Sequence, residues 1–345
     1  MKKNINQEEI TEQLLKLLEE RGKKALELAR KTVLEEKIES KEVREALKYF
    51  MTKCWHNVTR PALLSLVCEA VGGDPDITTP IAISITLISG ATSIHDDIID
   101  KSKNKGSRLT VLGKFGQNIA LLVGDALLFK GFTVLYEAVE KGVPAKKIAA
   151  ISDIINRTFF ELGDAEALAL QFRGRTDVTP EDYLCVVRKK AADIEAYTRI
   201  SAILGDASKE EIEALGEYGR LLGMLVILRD DMIDMFDLEE TINRIKKEHL
   251  SLVIIYALQK PEMQSILRSI LKKTITKKDA EKLSTFVDKA GGFIRMEDCM
   301  NKLAEEAHIK IEKIKYNRNY LELLVQGMLL PEWRNYLSPP TIPNG

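Results

Sequence analysis

Apolar residues return along this chain at the spacing of a helix. Ile10, Leu14, Leu17 and Leu18, then Ala25, Leu28, Ala29 and Val33, fall on a 3.6-residue stripe. Alternation of the strand type is scarce, and Gly-rich linkers are absent. Breaks fall at Gly72-Gly73-Asp74-Pro75, Lys105-Gly106, Gly142-Val143-Pro144, Thr179-Pro180, Pro261 and Gly291-Gly292. They cut the chain into about ten helices of ordinary to long length. Thr179-Pro180-Glu181-Asp182 predicts a helix start, with Thr179 as N-cap and Pro180 in the first turn. The pattern predicts an all-α protein.

Two acidic clusters interrupt the apolar pattern. The first is Asp96-Asp97-Ile98-Ile99-Asp100 and the second Asp230-Asp231-Met232-Ile233-Asp234. On a helix, the first and last aspartates of each cluster lie one turn apart on one face, with the middle one beside them. Like charges at that spacing repel, and each cluster is set among Leu, Ile, Val and Met, where carboxylates need partners. A single cluster of this kind reads as readily as a solvated acidic turn. The duplication favours hard divalent cations such as Mg²⁺, which bind a few carboxylates and complete their shell with water and phosphate oxygens. Two such clusters facing each other would hold a metal-bound diphosphate. No linker separates them, so we expect one all-α domain over residues 1–345. Residues up to about 40 form a peripheral helical layer in that reading, and the Pro-rich stretch 337–345 is irregular.

Composition narrows the function classes. The chain has 345 residues, 45% hydrophobic and 30% charged, with net charge −1. No basic run with interleaved aromatics suggests nucleic acid as a partner. The lysine-rich pieces at 101–105, 246–247 and 272–278 are short, and the last reads as a solvated face. Cys54, Cys68, Cys185 and Cys299 show no CxxC spacing, and His56, His95, His249 and His308 no ligand pair, so free, mostly buried thiols are expected. The start lacks an apolar leader segment, and the apolar stretches near 81–94 and 119–129 look too short and interrupted to span a membrane. A cytoplasmic protein is the expectation.

Further motifs share the order of the clusters. Arg60-Pro61 precedes Gly72-Gly73; after the first cluster come Thr110-Val111, Lys114-Phe115-Gly116 and Gly124-Asp125-Ala126-Leu127-Leu128; Lys190 precedes the second cluster. Over roughly residues 45–330 the chain resembles the trans-isoprenyl diphosphate synthases, the polyprenyl synthetase family, as an archaeal-like and divergent member. The resemblance implies a bundle of long helices around a deep apolar cavity, often a homodimer. It implies about three Mg²⁺ ions, bound with an allylic prenyl diphosphate through Asp96, Asp97, Asp100, Asp230, Asp231 and Asp234. It further implies ionisation of that diphosphate and alkylation of isopentenyl diphosphate to give a longer linear product. Lys190 matches the lysine that grips the allylic diphosphate, though it reads almost as well as a surface lysine. Lys105 matches the first of the family's paired arginines. Arg60 matches an arginine that holds isopentenyl diphosphate.

The departures from the family pattern cluster around the isopentenyl diphosphate. His56, Asn57 and Val58 replace the glycine, lysine and first arginine of the motif ending in Arg60-Pro61; Ser89 replaces a histidine and Gly106 the second paired arginine. Ile227 replaces a glutamine, and His249 a lysine of the allylic side. Asn, Ser and Gly hold a polyanion less well than the lost groups. Three outcomes therefore stay open. The chain condenses the two diphosphates; it ionises a prenyl diphosphate for another acceptor (water, an internal double bond or another nucleophile); or it is a non-catalytic subunit of a heteromeric synthase. Where the family often places an aromatic floor to the product channel, this chain has the small residues Ala91 and Thr92. They predict room for chains of about C20 or longer, since each buried CH₂ adds roughly 0.8 kcal/mol of binding.

Overall fold

The computed structural model describes residues 7–106, 108–271 and 275–329; the expected irregular tail at 337–345 lies outside them. The chain forms two compact units, Met1–Ile155 with Tyr197–Leu215 and Ile314–Leu321, and Asn156–Ala196 with Gly216–Lys313 and Glu322–Gly345.

The first unit opens with α1 (Gln7–Leu34), α2 (Lys41–Tyr49) and a π turn (Phe50–Cys54), followed by α3 (Thr59–Ala70) and a 3₁₀ turn (Pro75–Thr78). Helix α4 (Thr79–Ile99) is its centre, packed against α1, α3 and α5 (Val111–Glu137). Ile81, Ile85, Leu87, Ala91 and Ile94 are buried, and so are Ser84, Thr86 and Ser89. A helix with no polar face belongs inside a protein, and Ser84 satisfies its hydroxyl on the Gly131 carbonyl at 2.8 Å. The α1 stripe read from the sequence is confirmed, with Leu14, Leu17, Leu18, Ala25, Ala29 and Val33 all buried.

Between α4 and α5 the chain makes a small antiparallel hairpin, β1 (Asn104–Lys105) and β2 (Arg108–Leu109), with Asn104 opposite Leu109 and Lys105 opposite Arg108. Gly106 turns it with φ 58°, a conformation that glycine adopts without steric cost. Thr110 then caps α5, its hydroxyl accepting from the Gly113 amide at 3.0 Å. Gly116, at φ 79° and ψ 171°, puts a kink in the first turns of α5.

The helices α6 (Ala145–Gln171), α7 (Pro180–Lys190), α8 (Ala192–Leu204) and α9 (Lys209–Asp234) follow. The remainder is α10 (Leu238–Lys247), α11 (Leu252–Leu258), α12 (Pro261–Leu271), α13 (Lys277–Lys289), α14 (Gly292–Ile311) and α15 (Arg318–Met328). In the second unit α11, buried throughout, packs against α7, α12, α13 and α14, and α10 packs on α13. Helix α7 starts as the sequence predicts: Thr179 and Asp182 form a reciprocal capping box with Pro180 in the first turn.

Two sequence expectations change. All four cysteines are free, but Cys185 is exposed and only Cys68 is buried. The helical segments Pro75–Ile99 and Val111–Glu137 are long and apolar enough to cross a membrane by length and composition, more so than the shorter stretches read from the sequence. Their Ser, Thr and Gly residues interrupt the apolar run without ending the helix. The most apolar window of the first is 78% buried inside the protein and that of the second 39%.

Candidate active site

Both acidic clusters occupy the last turn of a helix, α4 for the first and α9 for the second. That is where the backbone dipole is negative and where basic residues are favoured, yet neither last turn carries one. Three carboxylates there compound the negative potential and call for a cation from elsewhere.

In the first cluster Asp96 is exposed, Asp100 half-buried and Asp97 buried. The hairpin brings Lys105 back onto this turn, with Nζ 2.8 Å from Asp97 Oδ1 and 3.4 Å from Ser93 Oγ. Burial pushes the Asp97 carboxyl up from its ordinary pKa, while the Lys105 charge pulls it down. A cavity of about 370 Å³ opens beside this pair, lined among others by Phe50, Trp55, Asn57, Asp97, Lys105 and Arg108. Its wall includes the stacked Phe50 and Trp55 rings, 5.6 Å apart, and the buried Trp55 Nε1 has no hydrogen-bond partner. Arg108 is held there by donating to the Lys53 carbonyl at 2.7 Å.

The altered motif positions have structural work of their own. Asn57 Oδ1, one residue before the Val58 N-cap, accepts from the amides of Thr59 and Arg60, at 3.0 and 3.3 Å, and so satisfies two first-turn amides of α3. His56 Nδ1 lies 2.9 Å from Arg30, which also donates to the carbonyls of Met51 and Trp55. Ser89 is buried, with its hydroxyl 2.8 Å from that of Tyr197. Arg60 is half-buried in the first turn of α3. Ala91 is 0% exposed, inside a core cluster with Leu47, Phe50, Met51 and Leu127. Thr92 is half-buried and donates to the Ser89 carbonyl at 2.9 Å.

In the second cluster Asp231 is 2% exposed. Arg244, from α10, reaches it with Nη2 at 2.5 Å and reaches Asp234 with Nη1 at 2.9 Å. The Tyr183 hydroxyl of α7 donates to the other oxygen of Asp231. Burial, then the Asp231 charge, keeps the Tyr183 phenol well above its ordinary pKa and therefore a donor. Asp234 is pushed up to about 6 by burial, against the pull of Arg244. Asp230 keeps access to solvent, yet the surrounding protein displaces enough water to raise its pKa as well. Burial lowers the pKa of Arg244, but Asp231, Tyr183, Asp234 and Glu248 outweigh it and fix the positive charge.

His249 packs edge-on to the Tyr183 ring, centroids 5.3 Å apart. Burial and then the Arg244 charge push its pKa down to about 4. It is a neutral imidazole at pH 7 and does not replace the charge of a lysine. Lys190, at the end of α7, pairs with Glu166 at 2.8 Å, and its charge also reaches His249.

Among the described residues no three His, Cys, Asp or Glu side chains are arranged to hold a metal ion by themselves. Mg²⁺ asks for less, since one or two carboxylates suffice when phosphate oxygens and water complete the octahedron. The first cluster fits that requirement, with Asp96 and Asp100 at the negative end of a helix. The second fits it less well, because Arg244 already engages Asp231 and Asp234.

The sequence model of the polyprenyl synthetase family matches residues 40–288. The chain belongs to the polyprenyl synthetase family. Among curated members, a geranylgeranyl diphosphate synthase of Methanosarcina mazei is 35% identical over 207 residues, covering 58% of this chain and 63% of that protein. A short chain isoprenyl diphosphate synthase of Methanothermobacter thermautotrophicus is 34% identical over 207 residues, covering 58% of this chain and 62% of that protein. The match thus spans less than two thirds of either relative. Among solved structures, a geranylgeranyl pyrophosphate synthetase from Pyrococcus horikoshii Ot3 has a TM-score of 0.82 at 25% identity, covering 92% of this chain and 98% of that one. The all-α isoprenoid-synthase fold of this chain is therefore established.

Sequence reasoning missed Arg244, Tyr183 and Trp55. The usable signal was the need of buried carboxylates for a cation, which an arginine can supply as well as a metal.

Proposed function

We propose that this polyprenyl synthetase is a Mg²⁺-dependent trans-prenyltransferase. It condenses an allylic prenyl diphosphate with isopentenyl diphosphate to give a longer linear prenyl diphosphate, about C20 or longer. The observation that carries the reading is the placement of the first aspartate cluster at the C-terminal end of α4, where Asp97 lines a cavity together with Lys105 and Arg108. The names of the two curated relatives support the same reaction class.

The allylic C–O bond breaks with its electron pair leaving on the diphosphate. The double bond of isopentenyl diphosphate then forms the new C–C bond, and a proton is lost to the departing diphosphate. Mg²⁺, when bound, supplies charge that stabilises the leaving diphosphate. Asp96, Asp97 and Asp100, with Asp230, Asp231 and Asp234, are the family's metal-binding positions; Asp96 and Asp230 present exposed carboxylates, and Asp100 and Asp234 are half-buried. Lys105 and Arg108 supply the positive charge that would hold the isopentenyl diphosphate, taking over from the arginine and lysine lost at Gly106 and Asn57. Lys190 would release Glu166 to contact the allylic diphosphate. The neutral His249 offers a hydrogen bond at most.

A homodimer is part of the proposal. Leu122, Phe129 and Tyr136 stand exposed at seven-residue intervals on α5, and Phe129 is 73% exposed. A stripe at that spacing is a helix-pairing face. Work in the cytoplasm fits the free thiols.

One observation favours the second reading. Asn57 and Ser89 are committed to the first-turn amides of α3 and to Tyr197, which weakens the hold on isopentenyl diphosphate and leaves room for a different acceptor. The deciding experiment incubates purified protein and Mg²⁺ with farnesyl or geranylgeranyl diphosphate and labelled isopentenyl diphosphate. Label in a longer prenyl diphosphate supports the synthase. Diphosphate release without incorporation supports another acceptor. Neither signal supports a non-catalytic subunit of a heteromer.

A further inference from the structure

The second aspartate cluster carries its own cation. Asp231 is almost wholly buried, and each of its oxygens has a donor: Arg244 Nη2 on Oδ1 and the Tyr183 hydroxyl on Oδ2. The same guanidinium turns its second terminal nitrogen to Asp234 Oδ2 at 2.9 Å, and its Nε faces Glu248 at 3.6 Å. The Arg244 side chain is only 12% exposed. A buried guanidinium between two carboxylates is compensated by them and compensates them, and removing any one partner leaves a stranded charge. Mg²⁺ would have to displace these contacts and shed water to reach the same oxygens, and it dehydrates reluctantly.

We propose that Arg244 is the resident cation of the second cluster, holding Asp231 and Asp234 in place of a divalent ion. Metal binding then rests on the first cluster and on Asp230, with fewer ions than the three the family resemblance implies. The arrangement fixes the last turn of α9 whether or not substrate is present. The inference rests on reading the aspartate clusters as metal–diphosphate machinery, and its test is separate from the product assay.

The test uses the full chain with Mn²⁺ and inorganic diphosphate as probe, counting protein-bound ions by the loss of free-Mn²⁺ spin resonance beyond that caused by the diphosphate alone. Asp234→Asn, which keeps Arg244 paired with Asp231, should leave the number of bound ions unchanged. Asp96→Asn with Asp100→Asn should lower it. Arg244→Gln should add a site, and its melting temperature should rise by several degrees with Mn²⁺, beyond any rise in the wild type. Loss of an ion in Asp234→Asn would overturn the proposal, because the metal then displaces Arg244. So would an Arg244→Gln protein that gains neither an ion nor stabilisation by metal. If the wild type binds no Mn²⁺, the functional reading of the first cluster fails, while the Arg244→Gln comparison still decides the role of Arg244.

Discussion

The Lys105 ammonium lies 2.8 Å from Asp97, whose side chain is 8% exposed, and the pair ties the hairpin to the last turn of α4. Lys105 is half exposed, so the ion pair itself contributes little, but Asp97 has surrendered its water and depends on it. Lys105→Gln should lower stability by about 1–2 kcal/mol, read as a lower melting temperature. Adding Asp97→Asn should recover most of that loss. The lysine also lines the cavity, so Lys105→Gln should cost roughly tenfold or more in kcat/KM for isopentenyl diphosphate, the worth of a charge-assisted hydrogen bond. A double variant no more stable than the single one would show that the two residues are not coupled.

Asp234 and His249 push the pH dependence of stability in opposite directions. The Asp234 carboxyl is raised from 3.8 to about 6, chiefly by burial. Between those values the unfolded chain has released a proton that the native state retains, so stability falls as pH rises. The His249 imidazole is lowered from 6.5 to about 4, again chiefly by burial. Over that window the unfolded chain holds a proton the native state refuses, so stability rises with pH. Each shift is worth roughly 3 kcal/mol, and the two nearly cancel. His249→Asn should therefore expose the Asp234 slope, its melting temperature falling steadily from pH 4 to 6 relative to the wild type. Parallel curves for the two proteins would refute the assignment.

What the sequence revealed was local. The Thr179 N-cap with Pro180 in the first turn, most of the α1 stripe and the helix breaks at Gly72-Gly73 and Gly291-Gly292 follow from neighbours along the chain, and the structure places them as read. The β1–β2 hairpin was not legible, because two-residue strands are too short to show a period. Arg244 was not legible either. It meets Asp231 and Asp234 only because the chain reverses after α9 and restarts at Asp237, whose side chain caps α10. The role of Asn57 is local by contrast: its side chain accepts from amides two and three residues on, a habit of Asn at the start of a helix.

The exposed stripe of α5 predicts assembly through that helix. Leu122→Glu with Phe129→Glu places charge on positions that a partner must desolvate. The variant should sediment as a monomer while keeping its helical content, because neither side chain belongs to the core. An unchanged sedimentation coefficient, or a wild type that is already monomeric, would exclude this face.

Ala91 and Thr92 separate packing from chain-length control. Ala91 lies wholly inside the core cluster around Phe50, Met51 and Leu127. Phenylalanine there must push aside close-packed side chains, at a cost of about 1–3 kcal/mol or more. Ala91→Phe should therefore melt at a lower temperature, and any change in its products is confounded by that loss. Thr92 is half-buried, so Thr92→Phe adds bulk where the core does not already fill the space. If the family's floor position operates here, Thr92→Phe should melt near the wild type and shorten the longest prenyl diphosphate it makes. A stable Thr92→Phe protein with the wild-type product range would place the length control elsewhere in the helices.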